Sequence, residues 1–428
     1  MAGLTASVVT DSAGRVLLEL RSPSGAGPGL WSIPAGAVAN HGSASVLLSD
    51  LPKHSDRGFF AADEIPEETS LETLLAVLNS LSWRHGALHS SDVTDRIFSA
   101  LFYSHLWPVL AKTWPSAGAG TSLQWTIRNI PFRKFKSAIP FLLTASDPRS
   151  IVPALTAELM FALFYLLDDV IDQRTHRYGR QTALGARGPA ETATAIMVGL
   201  TQIDGWLALM QASDCICGVV KAGSRELAEE QILRRGVGAR TMEEYAGHSM
   251  RRTRFLGDLW AAACQESACE AEAVLVGRIY GMCALAGQIK NDLRDIRTID
   301  QEERFRDIRD GVRNVCVLRL LNVADPRECE RILRYLSDGA MIDTDGEAEL
   351  VRLFSKHCVD VWAINEVRSL SERILAAVDE ADIVAAKKCV LSEWVRMQFT
   401  SGLGAECDDS MARVGTLLDA VARLTDKL

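Results

Sequence analysis

The stretch LMFALFYLLDDVIDQRTHRYGRQT, residues 159–182, decides the fold. Apolar residues recur at three-to-four-residue spacing from Ile151 to Leu167, which predicts a helix. Three carboxylates, on Asp168, Asp169 and Asp172, lie at the end of that apolar run. The stretch therefore predicts a helix with an apolar body and an acidic end.

The same helical periodicity continues along most of the chain. Leucine- and alanine-rich stretches run from about residue 76 nearly to the end, among them TLLAVLNSL, RIFSALFYSHLWPVLAKTW and GTLLDAVARL. Turns such as SAGAG at 116–120 separate them, and no internal repeat of fixed period is visible. We expect residues 76–428 to form one all-α domain.

The first 75 residues have a different character. Ser, Gly and Pro are dense in SPSGAGPG, and the short apolar run from Arg15 to Leu20 predicts a strand between turns. We therefore expect residues 1–75 to form a small β-containing extension.

Composition excludes several classes of protein. The 428 residues are 48% hydrophobic and 24% charged, which is enough to bury a large core. A net charge of −9 argues against a nucleic-acid binder, which would carry a basic face. No basic leader or apolar run of about 18 residues is present, and the ten cysteines form no C-x-x-C pair. We expect a cytoplasmic protein without a transmembrane segment.

The first acid cluster has the spacing of a metal site. Asp168 and Asp172 lie on one helix face about one turn apart, and their repulsion is unfavourable unless a cation lies between them. Hard oxygen ligands at this spacing suit Mg²⁺. The alternative is a solvated helix end, although acids there face the negative end of the helix dipole. The spacing alone leaves both interpretations open.

A second acid cluster repeats the pattern in ALAGQIKNDLRDIRTID. Asn291, Asp292 and Asp295 hold the same i, i+1, i+4 relation after another apolar helical stretch. If the two clusters faced each other across a cavity, they could hold several magnesium ions around one diphosphate. A solvated helix face that also carries Lys290 and Arg294 is the alternative.

Basic residues recur near these clusters. Arginine's planar guanidinium suits phosphate oxygens, although each residue taken alone could be an ordinary surface charge. The basic residues are Arg133, Lys134 and Lys136 in PFRKFKSAIP, Arg177 and Arg180 after the first acid cluster, Arg251 and Arg252 in MRRTRF, and Arg306 and Arg309 in RFRDIRDG.

Together these segments resemble the motifs of trans-isoprenyl diphosphate synthases, the polyprenyl synthetase-like branch of the class I isoprenoid synthases. DDVID with RYGRQT is similar to their first DDxxD motif and its downstream Arg-Arg-Gly-x-x-Thr. MRRTRFL is similar to their Lys-Thr motif at Arg252 and Thr253, GQIKNDLRD to the second Asp-rich motif with Gln288, and RDIRDGVRN to the Gly-Lys segment. PFRKFKSAIP lies where their Gly-Gly-Lys-x-x-Arg-Pro falls, which places Arg133 and Lys136 at the basic positions. The resemblance spans about residues 90–320 and implies an all-α class I terpenoid synthase helical bundle.

The chain departs from that pattern on one side. Phe161 stands where the family's isopentenyl diphosphate site has His, Tyr178 replaces the second Arg of Arg-Arg-Gly, and Val312 replaces the Gly-Lys lysine. The second Asp motif begins with Asn291. The residues for the metal and the allylic diphosphate resemble those of the family, whereas several residues of its isopentenyl diphosphate site are replaced.

These departures favour a magnesium-dependent class I terpene cyclase. Such an enzyme ionises one linear prenyl diphosphate, here expected to be C15–C20, and cyclises the allylic cation with release of diphosphate. The first alternative is a trans-prenyl diphosphate synthase that condenses isopentenyl diphosphate with an allylic diphosphate. The second is a non-catalytic partner subunit of such a synthase.

The resemblance also implies a set of site residues, with Mg²⁺ (three ions) as cofactor, a prenyl diphosphate as substrate and a homodimer as the assembly. The implied catalytic residues are Asp168, Asp172 and Arg252. The implied metal ligands are Asp168, Asp169, Asp172, Asn291, Asp292 and Asp295. The implied diphosphate-binding residues are Arg133, Lys136, Arg177, Arg252 and Arg306. The aromatic pocket residues we expect are Phe161, Phe164, Tyr165 and Trp260.

The extension carries a weaker resemblance of its own. VLLELRS followed by PGLWSIPAGAV is similar to the opening of a Nudix fold. The metal-binding helix of that fold does not follow, and RELAEE at 225–230 is better explained as a helix with paired charges. A catalytically inactive Nudix-like remnant and an unrelated β-rich extension are the two interpretations.

Overall fold

The computed structural model describes the helical body and three strands of the extension. The described residues are 16–20, 31–32, 57–60, 98, 101–114, 123, 126–127, 135–144, 147–177, 180–236, 239–298, 304–339 and 342–400.

Helices dominate this part of the chain, which confirms the predicted all-α class. The α-helices are α1 (Trp107–Thr113), α2 (Phe135–Leu143), α3 (Ile151–Ile171), α4 (Ala183–Leu209), α5 (Asp214–Gly236), α6 (Met242–Glu266), α7 (Glu270–Arg297), α8 (Arg306–Arg309), α9 (Val315–Val323), α10 (Pro326–Ser337), α11 (Thr344–Lys356), α12 (Val359–Glu380) and α13 (Ala385–Val395). Short π-helical turns are formed by Phe102–Leu106 and Arg396–Thr400, and a 3₁₀ turn by Pro148–Ser150.

The strands form two small antiparallel sheets. β1 (Val16–Leu20) lies between β2 (Trp31–Ser32) and β3 (Arg57–Phe60), so the strand order is β2-β1-β3. The strand predicted from Arg15 to Leu20 is therefore present. A second hairpin joins β4 (His176–Arg177) to β5 (Arg180–Gln181) directly after the first acid cluster. The domain boundary at residue 75 and the Nudix-like interpretation remain predictions.

The chain divides into two compact units. One comprises Met1–Cys217, Leu259–Ala273 and Asp382–Trp394, and the other comprises Gly218–Asp258, Val274–Ala381 and Val395–Leu428.

In the first unit α3 is the central helix. It packs against α2 and α4, and most of its residues from Pro153 to Leu166 are buried. The helix α4 approaches α3 closely at Gly199, where a Cβ would overlap the side chain of Leu163. The 24-residue segment Pro148–Ile171 is long and apolar enough to cross a membrane, but 67% of its most apolar window is buried inside the protein. Burial of this kind is typical of a core helix.

In the second unit α9 and α12 pack together around apolar residues such as Val315, Leu320, Ala363 and Leu370. The helix α10 begins with a capping box. The Asp325 side chain accepts backbone N–H groups of the first turn, and the Glu328 side chain accepts the backbone N–H of Asp325. This unit carries the second acid cluster on α7.

Candidate active site

The helix α3 presents one partly exposed stripe. Phe161, Phe164, Tyr165, Asp168 and Asp172 are related by steps of three or four residues and are all partly exposed, whereas four of the seven residues between them are buried. The rings of Phe161 and Tyr165 lie 5.2 Å apart between centroids. The stripe thus joins an aromatic wall to an acidic end, in the order expected from the sequence.

The acidic end is built by the last turn of α3. The helix continues past the predicted Leu167 to Ile171, and the N–H of Asp172, its C-cap, donates to the carbonyl of Asp168 at 2.8 Å. Asp169 is only 3% exposed, and its carbonyl accepts the N–H of Arg174. The Nε of Arg174 lies 3.7 Å from Asp172 Oδ2. The partly exposed pair is therefore Asp168 and Asp172, and Asp169 faces the protein interior.

These carboxylates fit a magnesium ion by the chemistry of their donors. Two oxygen ligands lie one turn apart at the negative end of a helix dipole, where a cation is favoured. Magnesium is commonly bound by one or two carboxylates together with substrate phosphates. Among the described residues no three His, Cys, Asp or Glu side chains form a ready metal cluster.

The hairpin after Asp172 is held by Thr182. Its N–H donates to the carbonyl of Thr175 at 2.9 Å, and its hydroxyl donates to the carbonyl of Arg174 at 2.6 Å. The same hydroxyl accepts the N–H of Gly185 and so caps α4. Arg177 belongs to β4, and its side chain lies outside the described residues.

Lys136 lies against the aromatic half of α3. Its Nζ is 3.8 Å from the ring centroid of Phe161 and 4.2 Å from that of Phe135, and the residue is only 2% exposed. An ammonium over aromatic faces is stabilised by the ring quadrupoles. The indole N–H of Trp260 donates to the Lys136 carbonyl at 2.8 Å, and the Trp260 ring packs edge-on against Trp394.

Trp260 is 2% exposed, whereas Phe161, Phe164 and Tyr165 are partly exposed. The observed contacts of Trp260 therefore support the position of Lys136. The predicted place of Trp260 in the pocket remains a prediction. Arg133, the other basic residue predicted in the segment of Lys136, lies outside the described residues.

Asp292 in the second cluster is held by three donors. Its carboxylate accepts the Tyr245 hydroxyl at 2.7 Å, the Gln288 amide at 2.7 Å and the backbone N–H of Val315 at 2.9 Å. The side chain is 2% exposed, and burial together with the nearby Asp307 raises the pKa of Asp292 to about 6. Asp292 thus connects α6, α7 and the start of α9.

Asp295 lies one turn further along α7 and has different partners. Its two oxygens face the N–H of Asp307 at 3.3 Å and the Asn314 side-chain amide at 3.4 Å. Burial, followed by the charge of Asp307, raises the pKa of Asp295 well above its usual range. Asp307 and Asn314 were not identified as site residues from the sequence. The one local signal was Asn314, a preferred N-cap residue directly before an apolar run.

The remaining predicted residues lie on the surface or near it. Asn291 is exposed, Arg252 on α6 is partly exposed, and the Nε of Arg306 lies 3.9 Å from Asp310 Oδ2. Arg309 instead donates to the Ile342 carbonyl at 2.7 Å. The roles predicted for Asn291, Arg252 and Arg306 are not tested by these positions.

The fold and motifs define a class I isoprenoid synthase, and comparison with known proteins is consistent with that class. The polyprenyl synthetase family model matches residues 134–349, just over half of the chain. No curated protein sequence matches the chain significantly.

Solved structures with the same fold include three trans-prenyl synthases. The polyprenyl synthase from Caulobacter crescentus CB15, solved with calcium and isoprenyl diphosphate, is 17% identical with a TM-score of 0.62, covering 73% of this chain and 98% of that one. The decaprenyl diphosphate synthase from Rhodobacter capsulatus is 17% identical with a TM-score of 0.61, covering 72% and 98%. The geranylgeranyl pyrophosphate synthetase from Pyrococcus horikoshii Ot3 is 18% identical with a TM-score of 0.55, covering 77% and 98%. At these identities the likeness establishes a common fold.

This chain belongs to the polyprenyl synthetase family. Membership supports an isoprenoid diphosphate enzyme of the polyprenyl synthetase type. It also favours the chain-elongating alternative over the terpene cyclase that we expected from the sequence.

Proposed function

We propose that this protein is a prenyltransferase that condenses isopentenyl diphosphate with an allylic prenyl diphosphate. The observation that carries the proposal is the stripe on α3, where an aromatic wall from Phe161 to Tyr165 leads to the carboxylates of Asp168 and Asp172. A prenyl diphosphate has the same order, with an apolar tail attached to a polyanionic head. Membership of the polyprenyl synthetase family favours condensation over cyclisation.

In this proposal the head of the allylic substrate lies at the acid cluster. Asp168 and Asp172 would hold Mg²⁺ at the end of α3, and Asn291 and Asp295 would bind Mg²⁺ on α7. When bound, the metal offsets the negative charge that develops on the leaving diphosphate. Arg252, Arg177 and Arg306 bind phosphate oxygens by charge-assisted hydrogen bonds.

The reaction breaks the allylic C–O bond, and its electron pair leaves with the diphosphate. The double bond of isopentenyl diphosphate attacks the allylic carbon, and the proton lost from the adduct passes to the released diphosphate. The rings of Phe161, Phe164 and Tyr165 exclude water and present π faces to the cationic carbon.

A terpene cyclase is the second candidate, and one contact favours it. The Lys136 ammonium is buried over the rings of Phe135 and Phe161, at the place where the acceptor diphosphate would need an accessible cation. An enzyme that uses a single prenyl diphosphate does not need that cation to be accessible.

The deciding experiment is product analysis of the purified chain with Mg²⁺ and farnesyl or geranylgeranyl diphosphate, each with and without isopentenyl diphosphate. We expect longer prenyl diphosphates that form only when isopentenyl diphosphate is present. A hydrocarbon or terpene alcohol from the single substrate would establish the cyclase instead.

Two variants serve as controls for this experiment. Asp168→Asn should lose activity, because it removes one carboxylate of the pair. Asp204→Asn, at an exposed acid on α4, should keep it. Inactivity of the wild-type chain under every condition would favour the non-catalytic partner subunit.

A further inference from the structure

Asn314 has a side-chain orientation fixed by the backbone. It is the N-cap of α9, and its Oδ1 accepts the N–H of Val317 at 3.0 Å. The residue is 3% exposed. Since the oxygen is used by the helix, the amide nitrogen must point the opposite way.

That nitrogen points at two carboxylates. Asn314 Nδ2 lies 3.1 Å from Asp307 Oδ2 and 3.4 Å from Asp295 Oδ2. The N–H of Asp307 approaches the other oxygen of Asp295 at 3.3 Å. Asp295 therefore receives one donor at each oxygen, and each oxygen retains a second lone pair that could bind a cation.

Two carboxylates that share one donor repel each other when both are charged, and the donor offsets part of that repulsion. Asp307 is buried on α8, so its carboxylate has little access to water. The Asn314 amide supplies donors to both carboxylates from one rigid position at a helix cap. Without it, less of the repulsion between Asp295 and Asp307 would be offset.

We propose that Asn314 is a positioning residue that holds Asp295 in the orientation in which this carboxylate binds a divalent cation. The inference rests on the proposed function, because that proposal makes Asp295 a magnesium ligand. Asn314 itself binds no cation and acts through the two carboxylates.

The test uses Mn²⁺ as the probe and counts bound ions from the electron paramagnetic resonance signal of free Mn²⁺. The parent is the full chain with Asp168→Asn and Asp172→Asn, so that the measured sites exclude the first cluster. Asn314→Ser and Asn314→Thr keep an N-cap oxygen but lose the amide donor. We expect each to weaken Mn²⁺ binding about tenfold, as for loss of one charge-assisted hydrogen bond.

The matched control is Asp343→Ala, which removes the N-cap of α11, where Asp343 accepts the N–H of Gly346. It should lower the melting temperature without changing Mn²⁺ affinity. Parent-level affinity in both Asn314 variants would overturn the proposal, as would equal losses in Asp343→Ala.

The parent is also compared with the parent that carries Asp295→Asn. If this substitution removes no Mn²⁺ site, the inference is overturned, because Asp295 would then hold no cation. The proposed function has a separate readout, the isopentenyl-dependent turnover of the wild-type chain. Failure of one proposal is therefore distinguishable from failure of the other.

Discussion

Substitution of Glu366 by Gln should change how the stability of the protein depends on pH. Glu366 lies on α12 and is 1% exposed, and no described residue donates a hydrogen bond to its Oε2. Burial raises its pKa from 4.5 to about 7, although the nearby indole of Trp362 and the charge of Arg319 act in the opposite direction. The native state therefore keeps this carboxyl protonated at pH values where the unfolded chain has released the proton.

The magnitude follows from the two pKa values. A shift from 4.5 to about 7 corresponds to roughly 3 kcal/mol, at about 1.4 kcal/mol for each pKa unit. Because the native-state pKa is raised, the stabilisation is complete below pH 4.5, falls between pH 4.5 and 7, and is absent above pH 7. Between pH 5 and pH 8 the wild type should lose roughly 2–3 kcal/mol through this one group.

Urea unfolding of wild type and Glu366→Gln at pH 5 and pH 8 measures the effect. The amide carries no charge at either pH, so the variant should lose less stability than the wild type as the pH rises. Glu372→Gln is the control, because Glu372 lies on the same helix but is exposed. Equal pH dependence of wild type and Glu366→Gln would refute the reasoning, and so would an equal effect of the control.

Two further predictions concern the two acid clusters. Tyr245→Phe removes the hydroxyl that donates to Asp292 at 2.7 Å, so the free energy of unfolding in urea should fall by roughly 1.5–3 kcal/mol; an unchanged value would show that the bond contributes nothing net. Gly185→Ala places a Cβ well inside van der Waals contact distance of the Thr175 carbonyl oxygen, so thermal melting should show a loss of roughly 1–3 kcal/mol. Gly205→Ala has open space at the same substitution and should instead gain roughly 0.5–1 kcal/mol, so a loss of equal size in both variants would contradict the steric explanation.

The sequence was sufficient for features encoded by local spacing. The helix from Ile151 and the shared face of Asp168 and Asp172 follow from the 3.6-residue period alone, and the structure contains both. The strand at Val16–Leu20 follows from a short apolar run between turns. Periodicity and turn composition therefore predicted the fold class.

Features that depend on distant residues could not be predicted in this way. The burial of Asp292 requires donors from Tyr245 and Val315, which are 47 and 23 residues away in sequence. The contact between Lys136 and Phe161 likewise depends on how α2 packs on α3. A spacing rule treats every acid in a motif alike, because it does not include these partners.

A further limit concerns backbone conformation. Phe305 adopts a left-handed conformation with φ of 54°, which is uncommon for a bulky residue. It is stabilised by tertiary contacts, since its ring stacks on Phe354 and its N–H donates to the carbonyl of Asp295. No residue in RFRDIRDG signals this conformation.

The three donors on Asp292 affect how mutagenesis of the second motif should be interpreted. Replacing Asp292 by Ala would leave the hydroxyl of Tyr245 and the N–H of Val315 buried without an acceptor, and the loss of stability could abolish activity by itself. Replacing the exposed Asn291 perturbs no such network among the hydrogen bonds of the described residues. In an alanine scan through NDLRD, loss of activity at Asp292 could therefore reflect loss of folding, whereas loss of activity at Asn291 would reflect the role of its own side chain. A loss of turnover at Asp292 should be credited to metal binding only in a variant whose folding has been verified.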